Sequence, residues 1–214
     1  LEYAMWLGAS FVTTNPQLVE IAWELDPELW KFRTTEIVKS RYSPNTVKSL
    51  VEERSRKDCG EFIEEVNTEI TIEVVYENAK MLRPIFLLSG GGKGMVCLQV
   101  NPLKHSNTDS MIHEALYAYS RLTEMFGGVP NIVFKLPATK AGLEAARELT
   151  SRGIGVTITV SFGLFQALPF AEVINRGNAI VSYLVVMNGR LADPVIGELK
   201  EFGEVAAKAG RRAG

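Results

Sequence analysis

Asn131-Ile132-Val133-Phe134-Lys135-Leu136-Pro137-Ala138-Thr139 is the stretch whose reading decides the fold. Ile132 to Leu136 reads as a strand, and Ala141 to Ser151 after it as a helix with Gly153 past its end. Val156 to Val160 reads as the next strand. Working outward toward the amino end, Val96 to Val100 is a strand and Asp109 to Phe126 a helix closed by Gly127-Gly128. That helix places Ile112, Ala115, Leu116, Tyr119 and Leu122 at the i, i+3, i+4, i+7 spacing of one buried face. Toward the carboxyl end, a helix from about Leu164 to Asn175 contains Pro169, which should kink it. A strand over Ile180 to Met187 and a helix over Val195 to Ala209 follow. Strands and helices alternating through short links predict a parallel sheet covered by helices, either an open doubly wound sheet or a closed barrel.

The amino-terminal part has a different texture. Phe11-Val12-Thr13-Thr14 is a short strand, broken by Asn15-Pro16 as helix cap and first helical residue. Residues 17–82 then carry only helical periodicity and read as a helical insertion between strands, with Ser43-Pro44 as a second helix start. The charged run Glu52 to Lys57 reads as a solvated helix face or a helix connection. Thr71, Ile72, Val74 and Val75 favour strand locally. Ile70, Val74, Glu77 and Met81 nevertheless fit a helix that ends before Pro84.

Composition bounds the function. The chain has 214 residues, 46% hydrophobic and 22% charged, with 18 glycines and net charge −2, which describes one globular domain over 1–214 rather than a disordered chain. No apolar run reaches the roughly 18 to 20 residues of a membrane span. A pI near 5.8 offers no general attraction to nucleic acid or anionic lipid. Cys59 and Cys97 make no disulfide framework, and with His105 and His113 they make a poor zinc site, so neither metal nor cofactor is expected and a cytoplasmic setting is the default. Leu1 without a signal sequence and the abrupt Ala206 to Arg212 tail read as cut ends.

The strands carry an unusual polar alternation. Val96, Leu98 and Val100 alternate with Cys97, Gln99 and Asn101, and Val156, Ile158 and Val160 alternate with Thr157, Thr159 and Ser161. Phe11 shares a face with Thr13 and Asn15. Ile132, Phe134 and Leu136 likewise alternate with Val133 and Lys135, and four such strands suggest a shared polar interior at their carboxyl ends, where α/β barrels place their sites. Lys135 sits between Phe134 and Leu136 inside one of them. An amine in such a place loses hydration, which favours its neutral form, a nucleophile toward carbonyls. The alternative is a lysine that snorkels to solvent or pairs with a carboxylate. Asn15 can be a plain helix cap, Gln99 a core amide, Thr157 and Thr159 ordinary strand residues, and Arg190 either an anion holder or a solvated loop arginine. Gly90-Gly91-Gly92-Lys93-Gly94 precedes a strand and lacks phosphate-loop spacing, so it reads as a turn.

Together these pieces resemble the transaldolase family. Gly8 to Pro16, Cys97 to Pro102 with Thr108-Asp109, and above all Asn131 to Thr139 are similar to its strand motifs, and Gly142-Leu143 and Gly153-Ile154 recur as in it. The resemblance implies a (β/α)₈ TIM barrel that moves a dihydroxyacetone unit through a lysine Schiff base, without metal or organic cofactor. Lys135 would form the Schiff base, Gln99 would sit in the proton relay, and Thr159 would hold the catalytic water. Thr13, Asn15 and Thr157 would bind substrate hydroxyls and Arg190 the phosphate. Partners would be sugar phosphates, with self-association into a homo-oligomer open. This sequence departs from the pattern in three ways. Gln99 replaces a glutamate, Met187 replaces an aromatic, and the family's aspartate-bearing first strand has no counterpart from Leu1 onward. Five strands are read where a barrel needs eight, so the first, seventh and eighth are expected to be missing. The resemblance thus leaves three readings: transaldolase, fructose 6-phosphate aldolase-like cleavage, or a non-catalytic barrel remnant that binds sugar phosphate.

Overall fold

The computed structural model describes residues 1–52 and 57–201. The order is α1 (Glu2–Trp6), β1 (Phe11–Thr13), α2 (Pro16–Leu25), α3 (Pro27–Arg41), α4 (Pro44–Glu52), α5 (Lys57–Leu88), β2 (Met95–Gln99), α6 (Thr108–Phe126), β3 (Ile132–Pro137), α7 (Lys140–Ser151), β4 (Val156–Ser161), α8 (Leu164–Arg176), β5 (Tyr183–Val186) and α9 (Gly189–Glu201). Several boundaries follow from local chemistry. Asn15 Oδ1 accepts the Leu18 N–H at 2.8 Å with Pro16 as first helical residue, and Ser43 Oγ accepts the Thr46 N–H ahead of Pro44. Thr139 Oγ1 caps α7, and Gly127 ends α6 at φ 63°.

All five strands are parallel and their spatial order β1-β2-β3-β4-β5 is the order of the chain. A doubly wound sheet requires that order to reverse once, so that helices fall on both faces. Here every crossover runs the same way. The aliphatic face, Val96, Leu98, Ile132, Phe134, Leu136, Val156 and Ile158, packs against buried residues of α5, α6, α7 and α8. Burying a side chain such as Phe134 there contributes about 1.5–3 kcal/mol. The opposite face gathers Phe11, Met95, Cys97, Val133 and Tyr183, with Phe86 from the end of α5.

The sheet is also strongly curled. Five flat strands at about 4.8 Å spacing would hold β1 and β5 about 19 Å apart. Instead Phe11 on β1 and Tyr183 on β5 stack at 4.0 Å between ring centroids. The architecture is therefore a parallel α/β half-barrel of five strands, its inner face enclosed by the curl.

Between β1 and β2 lie α2 to α5. They are tied to the barrel layer through Glu69 of α5, which is buried and receives Arg41 of α3 at 2.6 Å, Arg121 of α6 at 3.7 Å and the Tyr117 hydroxyl. The helix expected to end before Pro84 continues to Leu88. Pro84 is exposed, so the carbonyl one turn back that loses its donor meets water and the interruption is tolerated. The helix expected over Val195 to Ala209 starts instead at Gly189 and includes Pro194. Residues 202–209 of that expectation, and 53–56 of the charged run, lie outside the described residues. The fifth strand is shorter than expected, Tyr183–Val186. α8 runs on through Pro169, which is likewise exposed. Among the described residues no helix is long and apolar enough to cross a membrane.

Candidate active site

Strand register builds the site. Gln99 on β2 pairs laterally with Lys135 on β3, Lys135 with Thr157 on β4, and Thr157 with Tyr183 on β5. Paired residues of parallel strands point to the same face, so these four form one row across the inside of the curl. Thr159 stands one step further toward the carboxyl ends, paired with Pro137. Thr13 pairs with Cys97 on the open edge and is exposed, and Asn15 follows two residues on, as Gln99 follows Cys97. Arg190 is off the sheet, exposed in the first turn of α9 rather than in a loop.

Burial within the row is uneven. Lys135 and Gln99 are half-buried, whereas Thr157 is buried and its Oγ1 makes no well-formed hydrogen bond, having only the neighbouring Cys97 thiol beside it. A buried hydroxyl without a well-formed bond carries an unmet desolvation cost on the order of 1–3 kcal/mol, which a bound hydroxyl or water would relieve. Asn15 spends its side-chain oxygen on the α2 cap, so its amide hydrogens are what it can offer a ligand. Capping α2 through Oδ1 leaves those amide hydrogens unspent.

The sequence reading passed over two inward residues. Tyr183 completes the row, and burial raises its hydroxyl above the ordinary tyrosine range. Its signal was the alternation of Val181 and Tyr183 with outward residues in the strand expected there. Met187 was noted as a departure, but its contact has no sequence signature. The Met187 sulfur accepts from Thr159 Oγ1 at 3.4 Å and from the Val160 N–H at 3.2 Å. The strand pairing skips here, from Ile158↔Leu184 to Ser161↔Val186, so β4 carries one extra residue. Val160 in that bulge has φ 59°. A β-branched residue in the left-handed region is strained by about 1–3 kcal/mol.

Two other features fall away from this site. The glycine stretch 90–94 is a turn ahead of β2, at the amino ends of the strands and so opposite Lys135. His105 and His113 enter no group of three or more His, Cys, Asp or Glu among the described residues.

Cys97 lies on the same inner face, fully buried. Burial pushes its thiol from 9.0 up to about 11, against the opposing pull of Thr157, Lys135 and Thr14. Between those values the unfolded chain releases a proton that the folded chain keeps. The associated stability is complete below pH 9 and falls by about 1.4 kcal/mol per pH unit toward pH 11. Urea denaturation of wild type and Cys97→Ala across pH 8–11 is expected to show a steeper decline in wild type. Parallel curves would contradict the burial argument.

A lysine set among amide and hydroxyl side chains, toward the carboxyl ends of a curled parallel sheet, defines a barrel-type α/β protein. Comparison with known proteins narrows the class. The sequence profile described as "Transaldolase/Fructose-6-phosphate aldolase" matches residues 2–212. The chain belongs to the transaldolase/fructose-6-phosphate aldolase family. It is 28% identical to "Transaldolase" of Campylobacter jejuni subsp. doylei over 159 residues, covering 72% of this chain and 47% of that protein. It is 33% identical to "Transaldolase" of Campylobacter jejuni strain RM1221 over 113 residues, covering 53% and 33%. Against "Transaldolase 2" of Streptomyces avermitilis the figure is 35% over 102 residues, covering 48% and 26%. The chain thus spans less than half the length of each of these relatives.

Proposed function

We propose that this chain carries the covalent centre of an enzyme that moves a dihydroxyacetone unit from a ketose phosphate, such as fructose 6-phosphate, to an aldose phosphate. Lys135 is the nucleophile that condenses with the ketose carbonyl, and the resulting iminium stabilises the carbanion left when the carbon–carbon bond breaks. Thr157, whose hydroxyl lacks a well-formed hydrogen bond, and Asn15 and Thr13 hold substrate hydroxyls. Thr159 and Gln99 orient water at the reacting carbons, and Arg190 takes the phosphate. The observation that carries this reading is the row Gln99–Lys135–Thr157, which sets an amine between two hydrogen-bonding side chains. Borohydride reduction of the full-length protein with fructose 6-phosphate should fix a three-carbon adduct on Lys135, read by mass spectrometry. A folded protein without that adduct would leave the third reading, a sugar-phosphate-binding barrel remnant.

Gln99 favours a second reading, cleavage that releases free dihydroxyacetone. A carboxyl group there can exchange a proton with water near neutral pH, whereas an amide only orients the water. General acid–base groups contribute about 10²–10⁴-fold, so the substitution is large enough to change what happens to the three-carbon unit. Gln99→Glu is expected to raise transfer to erythrose 4-phosphate relative to dihydroxyacetone release. An unchanged ratio in an active protein would make Gln99 a packing residue.

A further inference from the structure

The carboxyl end of β4 is held in an unfavourable shape, with Met187 on one side of it and Gln166 on the other. Three contacts run from Met187 to the bulge. Its sulfur accepts from the Thr159 hydroxyl at 3.4 Å and from the Val160 N–H at 3.2 Å, and its own N–H donates to the Ser161 carbonyl at 2.8 Å. Gln166 of α8 braces the other side, donating to the Ala138 and Val160 carbonyls and accepting the Phe162 N–H. Val160 itself is half exposed, so packing of its side chain does not hold it at φ 59°.

We infer that Met187 is a positioning residue, whose thioether holds the Thr159–Val160 bulge and turns the Thr159 hydroxyl into an acceptor toward the Lys135 row. A thioether has lone pairs and no proton to give. The Thr159 proton is therefore committed to sulfur, and only oxygen lone pairs face the inner side of the sheet. A water or substrate hydroxyl beside Thr159 must donate to it, which fixes the orientation of that group and leaves its own lone pair for the reacting atoms. Leucine in the same place would fill the volume without accepting a hydrogen bond. Glutamine would restore an acceptor on a chain of similar length.

The catalytic part of this inference rests on the Schiff-base reading above, so its test separates the two. In the full-length protein, Met187→Leu is expected to speed hydrogen exchange at the Val160 amide by about tenfold, the scale of one lost hydrogen bond. It should lower kcat for carbon–carbon cleavage by a similar factor, with KM and the Lys135 borohydride adduct unchanged. Met187→Gln should recover both exchange protection and kcat to within about threefold. Unchanged Val160 exchange in Met187→Leu would overturn the inference. So would a loss of kcat that glutamine fails to recover, since that marks a packing role. If wild type forms no adduct, the Schiff-base reading fails, and Val160 exchange alone still decides whether the sulfur holds the bulge.

Discussion

Lys135→Ala is expected to leave the protein folded and to abolish both the borohydride-trapped adduct and the proposed carbon–carbon cleavage. The fold tolerates the change because Lys135 is half-buried and the core on the other face of β3, Phe134 and Leu136, is untouched. A stability change within about 1 kcal/mol is expected. Chemistry, by contrast, loses its electron sink outright, and removal of a covalent nucleophile lowers turnover by more than about 10⁴-fold. Lys135→Arg should do the same, because guanidinium keeps the charge but cannot supply a neutral amine. An adduct that persists on other lysines in Lys135→Ala would assign the trapping to surface amines and remove the basis for the catalytic reading.

Gly142→Ala is expected to destabilise the protein by about 3 kcal/mol or more, well beyond the usual effect of one added methyl. A Cβ at this position would stand 2.0 Å from the Pro137 carbonyl oxygen, which is backbone and cannot step aside. That carbonyl belongs to the last residue of β3, so relief of the clash displaces the strand end that presents Lys135. Gly155→Ala should behave similarly, with its Cβ 2.3 Å from the Val181 carbonyl oxygen and 2.7 Å from Val133 Cγ1. Gly128→Ala, which would meet nothing within 4 Å, is the control and should stay within about 0.5 kcal/mol. Chemical denaturation of the three variants checks the ranking, and equal stabilities would refute it.

How much of this was readable beforehand depends on the range of the interaction. The β/α rhythm from Val96 onward was legible because each element carries its own periodicity and its own stop signal, as with Gly127 after α6. The two-faced sheet was legible in the alternation of Cys97 and Gln99 with Val96 and Leu98. Proline misled at Pro84, since its effect on a helix depends on whether that side faces water, which is a tertiary property. The choice between open sheet and barrel turned on Phe11 meeting Tyr183, a contact between the first and last strands that no local pattern announces. The Lys135 row was half legible. Residue types and parity put Gln99, Lys135 and Thr157 on one face, but the register that makes them neighbours is set by backbone pairing. The left-handed turn at Val160 had no signal at all, because nothing in a valine asks for positive φ.

The strand order has a consequence for how such a chain comes into being. Each strand pairs with the one before it, so once the long helical stretch between β1 and β2 has been made, a chain emerging from the ribosome can add β3, β4 and β5 in turn to a sheet already present. The interior is the exception. The Phe11–Tyr183 stack cannot form until β5 has been synthesised, and up to that moment Lys135 stands on an open sheet facing solvent. The enclosed inner face around Lys135 is thus completed only once β5 has joined the sheet.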